Sequence, residues 1–121
     1  ATAMLEHPWA VHGETSSNTV VMRELGLLAK AGADGVLVMA APDGTAVAVK
    51  ALDGGTRAGD LVALALLARF APDHVDRATL PDVLAAVVPP VPVGEPVGEI
   101  RLAAPVRDLV GGVLPAFEAR A

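Results

Sequence analysis

Apolar and polar positions change period several times along the chain, and each change marks an element. Met4, Leu5, Trp9 and Val11 follow a helical spacing that Pro8 interrupts, which places a helix end near His7. Glu14 to Asn18 is a polar loop. Val20–Leu25 then reads as a short helix, with cap residues in Thr15–Thr19 and a stop at Gly26. Leu27–Lys30 is strand-like and runs into the turn residues Gly32-Ala33-Asp34-Gly35. The apolar run Val36–Ala41, the turn Pro42-Asp43-Gly44 and the run Thr45–Leu52 predict a β-hairpin. In its second arm Val47, Val49 and Ala51 alternate with Ala46, Ala48 and Lys50. Both sets are mostly apolar, so this strand is expected to be covered on both faces, one more tightly than the other.

Thr56–Ala71 carries the clearest helical pattern, through Leu61, Leu64, Ala65 and Ala68. Asp60 and Arg69 suit the two ends of a helix dipole, and Pro72 ends it. Val62, Leu66 and Leu67 widen the stripe, so the helix is expected to be buried on more than one side. A second helix is predicted over Leu80–Val87, with Thr79 as cap and Pro81 at its start. Val88–Pro96 is proline-rich and extended, and Val97–Leu102 alternates like a last strand. There is no internal repeat. These elements predict an α+β fold, an antiparallel sheet of about four strands flanked by helices, over residues 1–105. Residues 106–121 have only a weak helical pattern and are expected to form a frayed tail.

Composition narrows the functional classes. Of 121 residues, 53% are hydrophobic and 19% charged, and mean hydropathy is +0.52. Aromatic residues are limited to Trp9, Phe70 and Phe117, so the core must be built from Ala, Val and Leu. Such a chain is too apolar to be disordered, yet no window approaches 18 apolar residues, so a membrane span is not expected. A net charge of −5 without a basic run argues against a nucleic-acid partner. With no cysteine and no signal-like segment, a cytoplasmic protein is expected. The surplus of apolar residues points either to a face that meets another domain or subunit, or simply to an alanine-rich composition.

Catalytic sets are scarce. Ser16 and Ser17 are the only serines, and neither begins a Ser-x-x-Lys. His7, His12 and His74 are scattered, without metal-ligand spacing, so no metal site is expected. Asp73 and Asp76 read as solvated charges beside Arg77. Two places stand out. Lys30-Ala31-Gly32 puts an ammonium at the end of a strand with an approachable backbone beside it, and partial desolvation there would favour the neutral, proton-accepting amine. The other is the polar run Gly13-Glu14-Thr15-Ser16-Ser17-Asn18-Thr19. Lys50 and Arg57 are read as structural, with Asp53 pairing with Arg57 or capping the following helix.

Several blocks together resemble a known family. His7-Pro8-Trp9-Ala10-Val11-His12-Gly13, Asn18-Thr19-Val20-Val21-Met22 and Lys30-Ala31-Gly32-Ala33-Asp34-Gly35-Val36 are similar to the C-terminal part of the bacterial asparaginase II family. The similarity continues through Val49-Lys50-Ala51-Leu52-Asp53-Gly54-Gly55-Thr56-Arg57-Ala58 and Val97-Gly98-Glu99-Ile100-Arg101. This family is distinct from the two-threonine asparaginases and has a fold like serine β-lactamases and glutaminases. The resemblance implies a β-lactamase-like half domain. It implies hydrolysis of L-asparagine to L-aspartate and ammonia, with the nucleophile in a Ser-x-x-Lys of an N-terminal half. Lys30 matches the lysine placed beside a second active-site serine. No cofactor is implied, although some members carry a cysteine-built zinc site that this sequence cannot supply.

On that reading Lys30 assists proton transfer, and Glu14, Asn18, Thr19 and the backbone amide of Gly32 are expected to line the pocket for a small amino-acid amide. The partners are the N-terminal half of the same enzyme or a homodimer partner, with no nucleic acid and no membrane. Were the chain active alone, Thr19 or Ser16 would be the nucleophile. The alternative is a truncated, non-catalytic module that binds a partner chain or dimerises through its apolar face.

Overall fold

The computed structural model describes residues 1–88, 91–93, 95–98 and 100–113. Two short helices, Thr2–Glu6 (α1) and Trp9–His12 (α2), flank Pro8, as its missing N–H requires. The helix Ser17–Leu25 (α3) starts three residues earlier than its apolar pattern, because the Ser16 hydroxyl accepts the Thr19 N–H at 3.2 Å and caps it. Gly26, at φ 67°, closes the other end by donating its N–H to Met22 O.

Three strands follow, Leu28–Ala31 (β1), Val36–Ala40 (β2) and Ala46–Lys50 (β3), forming one antiparallel sheet in that order. The predicted hairpin is β2–β3, with Ala40 opposite Ala46. Its turn is fastened by Asp43, whose Oδ1 accepts the Thr45 N–H at 2.8 Å. Register places Lys30, Val38 and Ala48 in one row across the sheet, and Val36 beside Lys50 in the next.

The helix Gly59–Phe70 (α4) packs on β2 and β3, and α3 packs on β1. Both cover the same face of the sheet, the one formed by Ala29, Leu37 and Met39. The helix Leu80–Val87 (α5) lies against α3 and α4, and Ala104–Val110 (α6) lies against α4. Most of α4 is therefore buried, including Leu61, Ala63, Leu64, Ala65, Leu67 and Ala68. Each buried leucine stabilises the core by about 1.5–3 kcal/mol relative to exposure, and the alanines between them let α4 approach its neighbours closely. Among the described residues no helix is long and apolar enough to cross a membrane.

The fold is α+β as expected, with three differences. The fourth strand does not join the sheet. Val97 and Gly98 belong to Glu95–Gly98 (β5), which pairs only with Val91–Val93 (β4) in a separate hairpin. Pro92 and Pro96 lack the N–H groups that a strand inside a sheet must donate. Secondly, β3 is covered on one face only. Ala46, Ala48 and Lys50 are exposed, because no described element lies over that side. Thirdly, part of the stretch expected to fray is the helix α6, whose Val110 is fully buried. Residues 114–121 lie outside the described residues.

Candidate active site

Lys30 stands on β1, an edge strand, in the row that continues through Val38 and Ala48. Alternation decides its surroundings. Ala29 turns into the core, so Lys30 turns to the open face and is exposed. The partial desolvation expected of it is absent, and its Nζ donates to the neighbouring Ala31 O. Gly32 follows at the start of the β1–β2 turn, where its N–H donates to Val36 O at 2.8 Å. That amide is committed to the hairpin and is not free to hold an oxyanion.

The Gly32–Gly35 turn is built against a second segment. Gly35 has φ 70°, and a Cβ on it would lie 2.8 Å from both Gly54 C and Gly55 O. Its carbonyl accepts the Ala51 N–H at 2.9 Å, and Lys50 Nζ donates to Asp34 O. Asp34 itself takes the left-handed conformation at φ 57°, which aspartate tolerates better than most side chains. Asp53 holds its own turn, with Oδ1 accepting the Gly55 N–H at 2.8 Å. It neither pairs with Arg57 among the described contacts nor caps α4, whose start has no side-chain cap. Lys50 thus has the structural role expected of it, tying the end of β3 to the turn after Lys30.

The polar loop lies elsewhere. Glu14 is exposed and forms an ion pair with Arg23 at 3.0 Å, with both side chains at least half exposed. Thr19 is fully buried. Its hydroxyl donates to Gly13 O at 2.6 Å, lies 3.3 Å from Pro8 O, and is 3.1 Å from the Ser16 hydroxyl. It pins the segment between α2 and α3. Ser16 serves as the helix cap, so neither hydroxyl is poised as a nucleophile. Asn18 is 1% exposed, on the helical side of the sheet. Lys30 and the pair Asn18 and Thr19 are therefore not brought together, since the sheet stands between them.

One polar group escapes sequence reasoning. Asp60, in the first turn of α4, is buried, and one carboxylate oxygen has no hydrogen-bond partner. Asn18 Oδ1 is likewise buried without a partner. Burial pushes the Asp60 carboxyl above its ordinary value, and a hydrogen bond with the Ser17 side chain pulls the other way. An acid in a first turn reads as a dipole complement on an exposed face, and nothing in its neighbours marks it as buried. In the loop before α5, Asp76 accepts from Thr79 Oγ1 at 2.6 Å and from the Ala78 N–H at 3.0 Å, which hold its carboxyl below the usual range. Thr79 is thus engaged with Asp76 and gives α5 no side-chain cap.

The blocks around Lys30 and Lys50 form one corner, and comparison with known families gives that corner a setting. The model of the L-asparaginase II family matches residues 1–102. The chain belongs to the L-asparaginase II family. No curated protein is found similar to it. An asparaginase-like hydrolase is the function this membership supports. The chain has no cysteine, and among the described residues no group of three His, Asp or Glu stands together.

Proposed function

We propose that this chain supplies the Lys30 side of an asparaginase-type active site that hydrolyses L-asparagine to L-aspartate and ammonia. The family match across residues 1–102 carries the reading, since it includes Lys30-Ala31-Gly32. Amide hydrolysis needs a nucleophile, a base for its proton, and an acid for the departing nitrogen. A lysine on this open face can serve the last two in turn when the N-terminal half closes over it and takes it out of water. The nucleophile is assigned to a serine in the N-terminal half of the same enzyme. Its oxygen attacks the side-chain amide carbon and displaces ammonia, and water then hydrolyses the resulting ester. The serine's proton passes through Lys30 to the leaving nitrogen.

Glu14 stands on the separate loop before α3 and is paired with Arg23, so a contact between it and a substrate amino group requires that ion pair to open. Thr19 holds that loop through its bond to Gly13 O. Gly32 shapes the turn beside Lys30. The setting is cytoplasmic, consistent with the lack of cysteine.

The test is ammonia release from L-asparagine by the chain, alone and with the N-terminal half of a family enzyme, and with L-glutamine in parallel. Turnover is expected only with both parts, and Lys30→Ala should abolish it while leaving the thermal unfolding midpoint unchanged. Equal turnover by wild type and Lys30→Ala refutes the role of Lys30. Failure of the recombined parts to release ammonia refutes the composite site.

A further inference from the structure

The chain holds three Asp-Gly bonds, Asp34-Gly35, Asp43-Gly44 and Asp53-Gly54, each in a turn at the end of a strand. An aspartate followed by glycine can close a five-membered ring on itself, because no Cβ shields the following amide nitrogen. All three aspartates are exposed, so access to water does not separate them. Hydrogen bonding does. Asp43 Oδ1 accepts the Thr45 N–H at 2.8 Å, and the Gly44 N–H donates to Ala41 O at 3.0 Å. Asp53 is held in the same way, by the Gly55 N–H at 2.8 Å, with the Gly54 N–H on Ala51 O at 3.1 Å. In both turns the carboxyl and the amide that would react are engaged elsewhere. At the third bond neither is. Among the described residues the Asp34 carboxylate accepts no hydrogen bond, and the Gly35 N–H donates none. Asp34 is also the one described non-glycine residue at positive φ, a conformation that an L side chain adopts at a cost.

We infer that Asp34-Gly35 is a site of spontaneous backbone isomerisation to isoaspartate. The Gly35 nitrogen attacks Cγ of the protonated Asp34 carboxyl and forms an N–Cγ bond. The carboxyl hydroxyl and the amide proton leave together as water, and a succinimide ring remains. Water then adds back. Opening at Cγ restores aspartate, while opening at the former peptide carbonyl breaks the original C–N bond and routes the chain through Cβ and Cγ. The water lost in the first step is regained in the second, so no further reagent is consumed. The product does not fit the corner in which it forms. It lengthens the backbone by one carbon at a turn where even a Cβ on Gly35 would lie 2.8 Å from Gly54 C and Gly55 O. The bond from the Ala51 N–H to Gly35 O is therefore lost. Asp34 O, which accepts from Lys50 Nζ, becomes part of a free carboxylate, so the Lys50 contact becomes an ion pair. The reaction needs only this turn, and it holds whether or not Lys30 acts on asparagine.

The test incubates the full chain at neutral pH, folded and in urea side by side, until the unfolded sample has isomerised. Digestion and electron-transfer mass spectrometry distinguish isoaspartate from aspartate at each position, and hydroxylamine in a parallel sample traps the ring where it forms. In the folded chain isoaspartate should accumulate at Asp34 about tenfold faster than at Asp43 or Asp53, the factor set by the hydrogen bonds those two must first release. In urea the three rates should converge. Asp34→Glu, whose longer side chain would need a six-membered ring, should lose the product at this position and leave the other two unchanged. In the isomerised chain, separated by reversed-phase chromatography and refolded, the Ala51 amide should exchange with solvent faster while the amides of β2 stay protected. The inference is overturned if the three positions isomerise equally in the folded chain, if Asp43 or Asp53 leads, or if Asp34 stays intact while the unfolded chain reacts. An isomerised chain that still protects the Ala51 amide overturns the opening of the corner.

Discussion

Replacing Thr19 by valine separates a structural from a substrate-facing role for this residue. Valine keeps the shape and the β-branch, so packing at this fully buried position is retained. The cap also survives, because it uses the backbone N–H of residue 19. What is lost is the hydroxyl proton donated to Gly13 O at 2.6 Å, together with the contact to Pro8 O at 3.3 Å. Gly13 is exposed and its carbonyl can take up water. Pro8 is buried, and its carbonyl keeps the Val11 N–H at 3.1 Å. One lost hydrogen bond with neither acceptor left without a partner costs about 0.5–1.5 kcal/mol. For a domain of this size that lowers the unfolding midpoint by about 2–6 °C. Far-UV circular dichroism on heating gives the midpoint, and amide exchange in α2 shows whether the Pro8–Gly13 segment has loosened. Thr19→Ser, which keeps the hydroxyl and loses one methyl, should cost about 0.8 kcal/mol and leave α2 protected. A valine variant as stable as wild type would refute the pinning role.

Two further substitutions test other contacts. Gly35→Ala places a methyl 2.8 Å from Gly54 C and Gly55 O at a positive φ, and should cost about 2–4 kcal/mol from backbone strain and overlap together. An unchanged denaturation midpoint would mean that the two turns do not touch. Asp60→Asn should be more stable than wild type at pH 7. The raised carboxyl of Asp60 disfavours its charged form in the fold, a cost absent below its ordinary value of 3.8 and developed as pH rises through the raised one. Melting curves from pH 3 to pH 7 should therefore diverge upward, and a wild type that is the more stable at pH 7 would contradict the assignment.

What could be read from the chain follows how local each signal is. The β2–β3 hairpin was legible because Pro42-Asp43-Gly44 sets both turn and register within a few residues. The helix α5 matches its pattern at both ends, since Pro81 and the break after Val88 are local. The hairpin strand Glu95–Gly98, expected instead over Val97–Leu102, was not legible. Alternation says that one face is buried but not which strand lies alongside, and only the prolines hint at a separate hairpin. The helix α4 begins at Gly59 rather than Thr56 because Asp53 satisfies its own turn and gives the helix nothing. At the candidate site, the strand and turn around Lys30 were visible. Its exposure was not, because which face of β1 is covered depends on α3, packed through tertiary contacts. Asp60 was hidden for the same reason.

The aromatic residues have a practical consequence for every measurement above. Trp9 and Phe70 are each about half exposed, while the core is aliphatic. Among the described residues the interior is therefore nearly silent to ultraviolet spectroscopy. Emission from Trp9 reports the surroundings of α2 and can change while the Leu and Ala interior stays intact. It can equally stay constant while α4 and the sheet separate. Fluorescence and backbone signals that melt at different temperatures would then be two views of different regions, and would not by themselves establish a folding intermediate.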